Sequence, residues 1–169
     1  HPQIEVGNFY SKSKSSTINS LDFFNQVDAF FKNQSMTPPF NHCLSLDDEL
    51  MYHPLLHYGN HTDNHFVMSS LSYEQQLKEV SITDTYLRNS SGQFIPYFSL
   101  PFGGINDFNE HTTAICEKMG YRCMLLSRNR LNRIKNKKMK NEFLHIERLM
   151  LGNSVDLSPL AKAAVRSRF

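Results

Sequence analysis

His61 and His65 stand four residues apart in the stretch Gly59-Asn60-His61-Thr62-Asp63-Asn64-His65. Imidazole is the commonest metal-ligating side chain. Positions i and i+4 share one side of a helical turn, or of a tight turn of similar pitch. Both rings could therefore meet one ion at the roughly 2.0–2.1 Å that zinc requires. Two neutral histidines leave such an ion its positive charge and open positions, the arrangement used to polarise a carbonyl and activate a water. The pair is half a metal centre, and it needs a third ligand.

The elements that must position this pair fit one domain over residues 1–169. Hydrophobic residues make up 40% and charged residues 20% of the chain, which allows a folded core and excludes global disorder. A net charge of +2 does not by itself imply a nucleic-acid partner. Seven Lys or Arg lie between Arg128 and Lys140, read as a solvated loop or hairpin. The rival reading, attraction to an anionic polymer, lacks the interleaved aromatics that stack on bases. No apolar run reaches the roughly 18 residues of a membrane span. The N-terminus lacks Met and the basic and apolar regions of a signal peptide, and it reads as a processed or truncated start. Cys43, Cys116 and Cys123 are odd in number and form no C-x-x-C pair, which points to buried thiols rather than a disulfide framework.

Residues 1–19 read as a strand remnant followed by a loop. Ser20 can cap a helix to about Asn33 whose Phe23, Phe24, Val27, Phe30 and Phe31 form one apolar face, expected in the core. Residues 43–58 suit a short helix leading to a strand or turn before Gly59. Ser72 and Gln75 form a capping-box pattern before a helix to about residue 88, with Tyr73, Leu77, Val80 and Leu87 on one stripe. Phe94–Leu100 reads as a strand, irregular or at an edge because of Pro96. Pro101-Phe102-Gly103-Gly104 is a sharp turn. Asn106 or Asp107 can cap a third helix that Gly120 stops. Tyr121–Leu126 reads as a buried strand, Phe143–Leu151 as a last strand, and the tail from Ser158 as helical or frayed. Strands and helices alternating at this spacing define an α/β layer or barrel.

Several of these segments, in this order, resemble the polysaccharide deacetylases (carbohydrate esterase family four). The residues that carry the likeness are Asn60-His61-Thr62-x-x-His65, Leu71-Ser72-Tyr73-Glu74-Gln75-Gln76-Leu77, Phe98-Ser99-Leu100-Pro101-Phe102-Gly103 and Gly120-Tyr121. The match is best over residues 44–126. It implies a distorted (β/α) barrel, a divalent metal (zinc, with nickel or cobalt as alternatives) and hydrolysis of acetyl groups on an N-acetylated polysaccharide. It suggests an envelope or extracellular location. His61 and His65 take the metal-ligand positions. Thr62 takes the hydroxyl position that orients the loop. Phe102 takes the position whose backbone N–H faces the developing oxyanion. Thr62, Pro101, Phe102 and Gly103 would face the substrate.

The chain departs from the family pattern at its N-terminal motif, T-F-D-D-G, which supplies a metal ligand and the general base and does not occur here. The nearest string is Leu44-Ser45-Leu46-Asp47-Asp48, but only twelve residues separate Asp48 from His61. Asp47 and Asp48 are thus either catalytic candidates or surface charges at a helix start. The arginine of the family's third motif is Ser99 here. His145 is the candidate for the general acid. These gaps lead to the expectation of an N-terminally incomplete barrel, open at an edge and able to pair with another chain. The alternative function is an inactive carbohydrate-binding or interaction domain.

Overall fold

The computed structural model describes residues 8–35, 52–90, 93–132 and 143–149, with Ser158, Ala161, Lys162 and Ala164 in helical conformation. In chain order the elements are α1 (Phe9–Ser13), α2 (Ser20–Asn33), β1 (Tyr58–Asn60), α3 (Tyr73–Ser90), β2 (Phe94–Ser99), α4 (Glu110–Lys118), β3 (Cys123–Leu126) and β4 (Leu144–Glu147). The stretch read as a strand remnant and then a loop contains the short helix α1, and its first seven residues lie outside the described residues. Asp47 and Asp48, the segment before Tyr52, most of the basic run and Cys43 lie outside the described residues.

The four strands form one parallel sheet in the order β1-β2-β3-β4. Parallel neighbours need a crossover, and α3 and α4 supply two of them, giving consecutive βαβ units. The expected α/β class is present. Among the described residues the sheet is open, with β1 and β4 at its edges, rather than a closed barrel. β4 pairs with β3 in parallel. Arg128, at the start of the basic run, is ion-paired with Glu147. The Asn132 amide bonds the Glu147 backbone in both directions at 2.8 Å, covering the β4 edge there.

Pro96 lies in an interior strand, not at an edge. It precedes the first β2–β3 partner pair, Tyr97↔Cys123, so its missing N–H falls outside that ladder while its carbonyl accepts from Arg122 N at 2.8 Å. On its other side the β1–β2 register shifts between Tyr58↔Phe94 and Asn60↔Phe98.

Helix starts follow local chemistry. Ser72 and Gln75 form the expected reciprocal cap, with Gln75 N–H on Ser72 Oγ and Ser72 N–H on Gln75 Oε1. The other two longer helices are capped by Asn19 and Asn109, one residue before Ser20 and two beyond Asp107. In each case the asparagine carboxamide reaches the free N–H groups of the first turn. Gly120 ends α4 at φ 80°. There Tyr121 N–H bonds Cys116 O and Gly120 N–H bonds Glu117 O, the paired bonds of a Schellman stop.

The core lies between the sheet and α3 and α4. Phe98, Leu100, Met124, Leu126, Val80 and Ile115 are fully buried there. Cys116 and Cys123 are buried free thiols, and burial raises both thiol pKa values. The apolar face of α2 is the exception to the sequence reading. Phe24, Phe30 and Phe31 are exposed, and of α2's side chains Leu21 packs against the core cluster. The helix is fastened at its first turn by polar bonds. Ser20 Oγ accepts from Val67 N, Ser20 N–H donates to Ser70 Oγ, and Asn19 Nδ2 donates to Gln75.

The Pro101–Gly104 turn closes on itself, with Gly103 N–H bonded to Pro101 O at 2.6 Å and Phe102 at φ 61°. Gly103 sits at φ 80°, and a Cβ there would lie 2.5 Å from Ser127 N. Only glycine meets both conditions. Gly103→Ala is therefore expected to lower stability by roughly 1–3 kcal/mol, read as a lower urea midpoint.

Candidate functional site

Parallel α/β sheets bind ligands beyond the carboxyl ends of their strands. Here β1 ends at Asn60 and runs directly into His61, and β2 ends at Ser99 before the Pro-Phe-Gly turn. The two loops meet. The His61 and His65 ring centroids are 4.6 Å apart, with planes at 82°. The His65 ring meets Phe102 edge-on at 4.8 Å. The histidines lie in an irregular turn rather than a helix, with Thr62 at φ 65° and His65 at φ 57°. Left-handed backbone is uncommon for any residue other than glycine, and it is a strong departure for the β-branched Thr62.

A buried hydrogen-bond chain holds this turn. Asn60 is fully buried, and its Oδ1 accepts from Thr62 N–H at 2.8 Å. Its Nδ2 donates to Val80 O at 2.9 Å and to Tyr121 Oη at 2.7 Å. The Tyr121 hydroxyl donates to Asp84 at 2.7 Å, and Asp84 is bonded in turn by Arg88 at 2.8 Å. Burial, then the bond to Asp84, raises the Tyr121 pKa, so the phenol stays protonated and remains a donor. The Thr62 hydroxyl accepts from His65 N–H at 3.0 Å. Glu79 of α3 accepts from both the backbone and the side chain of Asn64, each at 2.8 Å. Asn60, Glu79, Asp84 and Tyr121 thus position the pair, and the sequence reading assigned none of them a role.

The tautomer of His61 is fixed by geometry. Its Nδ1 lies 2.6 Å from Ser99 O. A carbonyl only accepts, so Nδ1 carries the proton and Nε2 is left with a free lone pair. This is the outer contact that orients ligating histidines in metal sites. Ser99 therefore contributes its carbonyl, whatever its side chain. Both imidazoles are exposed. The covered part of His65 is disfavoured as a cation by desolvation, then by His61, so its pKa lies below the ordinary imidazole range. A neutral ring is the ligating form. The pair fits a divalent ion on two sides. Among the described residues no third His, Cys, Asp or Glu completes the set.

The other candidates separate by exposure. Thr62 is buried, with its N–H and Oγ1 both engaged. Pro101 is fully buried and Gly103 is buried, so both shape the turn and leave Phe102 as its outward residue. The N–H of Phe102 has no acceptor among the described residues, whereas those of Gly103 and Gly104 bond Pro101 O and Asp107. His145 is not brought to the pair. It lies on β4, at the far edge of the sheet from β1, with its ring 5.2 Å from Phe108 and 5.7 Å from Phe143. Desolvation, then Arg128, lowers its pKa. From the N-terminal side, Lys14 bonds Tyr10 and reaches over the Phe102 ring at 5.5 Å.

The parallel α/β sheet thus carries an oriented histidine pair at the carboxyl end of β1. Residues 48–124 match the polysaccharide deacetylase family model. The matched stretch runs from before β1 into β3 and contains the histidine pair, both crossover helices and the Phe102 turn. No curated protein and no solved structure matches the chain significantly. The family match supports a deacetylase-type, hydrolytic activity with a polysaccharide as substrate class. Among the described residues no helix is long and apolar enough to cross a membrane.

Tyr121→Phe leaves the buried Asp84 and Asn60 each short of a partner. It should cost roughly 1–3 kcal/mol of stability in urea unfolding. The two lowered histidines give a second expectation. Below the unfolded value of roughly 6.5 the unfolded chain binds protons that the folded chain does not. Stability should therefore fall as pH drops from about 7 through that value toward the lower folded ones. Urea midpoints across this range measure the slope, which should be shallower in His145→Phe.

Proposed function

We propose that this domain hydrolyses acetyl groups from an N-acetylated polysaccharide in a metal-dependent reaction. The observation that carries the reading is the His61 lone pair left free by the Ser99 carbonyl, beside His65 and the unengaged Phe102 N–H, on a stretch of the deacetylase family. His61 and His65 would hold the divalent ion, zinc with nickel or cobalt as alternatives. Such an ion supplies Lewis-acid polarisation of the amide carbonyl and a water of lowered pKa.

The chain's own residues supply the rest. The C–N bond breaks, a C–O bond to water forms, and the amine leaves with a proton. The Phe102 N–H would bond the carbonyl oxygen as it gains charge, a contribution of roughly 2.7–4 kcal/mol to the barrier for one such donor. Asp47 and Asp48 are the candidates for third ligand and general base. His145, held among Phe108 and Phe143, is left out of the reaction. The barrel closure typical of the family is part of this proposal as well.

The rival reading is an inactive carbohydrate-binding domain, favoured by the lack of a third ligand among the described residues. One experiment separates the two. Elemental analysis of the purified chain should find about one equivalent of metal, lost in both His61→Ala and His65→Ala. Acetate release from an N-acetylglucosamine oligomer should fall at least a hundredfold in those variants, and in whichever of Asp47→Asn or Asp48→Asn removes the base. Metal-free protein that binds the oligomer without releasing acetate would establish the binding domain instead.

A further inference from the structure

An ammonium stands at the rim of the site, supplied by the N-terminal helices. Lys14 directly follows α1, and its Nζ lies 5.5 Å from the centroid of the Phe102 ring, the ring that His65 meets edge-on at 4.8 Å. Ser13, its neighbour in sequence, lines a cavity beside His65 together with Phe9, Phe66 and Phe102. We propose that Lys14 is a specificity residue that binds a carboxylate of the substrate, so that the polysaccharide is an acidic one with a charged sugar next to the acetylated one. This deepens the reading above and rests on it for the bond that is cleaved.

Three observations carry the inference. First, the fold holds the ammonium in place. Phe9 of α1 packs on Phe23 of α2 at 5.4 Å, and α2 is fastened to the rest of the domain through Asn19 and Ser20. The Lys14 ammonium bonds the Tyr10 hydroxyl and sits 3.7 Å from the centroid of that ring. Contact with two aromatic rings restricts a side chain whose ordering is otherwise costly in entropy. Second, no carboxylate answers this charge among the described residues. The ion pairs there are Lys32–Asp28, Arg88–Asp84 and Arg128–Glu147. Residues 8–19 contain no Asp or Glu. On the site side, Asp63 accepts from the Asn64 amide, and Glu79 accepts from the Asn64 backbone and side chain. An ammonium has three donors, and the Tyr10 hydroxyl takes one of them. Third, Phe102 orders the two functions in space. Its backbone N–H would meet the acetyl carbonyl, while its ring faces the ammonium. A carboxylate that reaches Lys14 therefore lies beyond the acetylated sugar, on the next one. One ammonium matches the single charge of a carboxylate, whereas a phosphate monoester would bring about two. Lys14 precedes the stretch that matches the family model, so this cation is an addition to the matched part of the site.

The test uses the full chain, with calorimetric affinity measured after chelation of metal and acetate release measured on the protein as purified. The probes are a tetrasaccharide of alternating N-acetylglucosamine and glucuronate, and the same tetrasaccharide with its carboxyls reduced to alcohols. At low ionic strength the acidic probe should bind about tenfold tighter, the size expected for one hydrogen bond between charged groups. That advantage should shrink toward about 1 M salt. Lys14→Gln should abolish it and Lys14→Arg should keep most of it. Lys32→Gln, which removes a cation from α2, should leave it unchanged. In turnover the same preference should appear mainly in KM. An acidic probe that binds no tighter than the reduced one at low salt, or an advantage that survives Lys14→Gln, overturns the inference. The two readings fail separately. A Lys14-dependent preference without acetate release from either probe sinks the hydrolase and keeps the role of the lysine. Acetate release from both probes with no preference between them does the reverse.

Discussion

The carboxamide of Asn60 decides where the sheet ends and the site begins. It is fully buried, and its bonds reach the turn after β1, the carbonyl of Val80 on α3 and the hydroxyl that precedes β3. A buried amide that loses partners is costly, so the three elements must keep their relative positions for all the bonds to be made. Thr62 is held in left-handed backbone from one side by this amide. From the other side its own hydroxyl holds His65. The geometry of the histidine pair is thus set through two hydrogen bonds by groups that face the core.

A second layer of organisation comes from the difference between the two halves of the molecule. The sheet, α3 and α4 share a continuous apolar core. The helix α2 instead meets them mainly through Asn19, Ser20 and Leu21, and it presents much of its phenylalanine face to solvent and to the cavity beside His65. Polar fastening at one end fixes its position without burying its stripe. Exposed apolar surface of this kind is uncommon on a settled monomer unless something uses it.

The sequence made some of this legible for clear reasons. The start of α3 was readable because Ser72 and Gln75 satisfy free N–H groups within a single turn, and the end of α4 because Gly120 is needed for a left-handed stop. The α2 stripe was correctly read as helical and wrongly read as core, since periodicity reports a face but not what covers it. Pro96 pointed to an irregular or edge position, and the β1–β2 register does shift beside it. The proline lies inside the sheet because only the position of the missing N–H relative to the ladder matters. Asn60, Asp84 and Tyr121 lay hidden as a unit, since 61 positions separate Asn60 from Tyr121 and no spacing rule spans such a gap. The one signal available was a small polar residue at the end of a buried strand, next to the first histidine.

Thr62, His65 and Phe102, all with positive φ, surround the same small volume. Each conformation opposes folding by an amount of order 1–3 kcal/mol, and the surrounding bonds must compensate. Selection for robustness alone would replace such residues with glycine, whereas selection for a fixed pair of ligands would keep them. The site is therefore where tolerance to mutation should be narrowest for reasons of backbone shape, quite apart from which side chains touch a substrate. A lineage that dropped the chemistry would be free to relax these torsions first, well before its core changed.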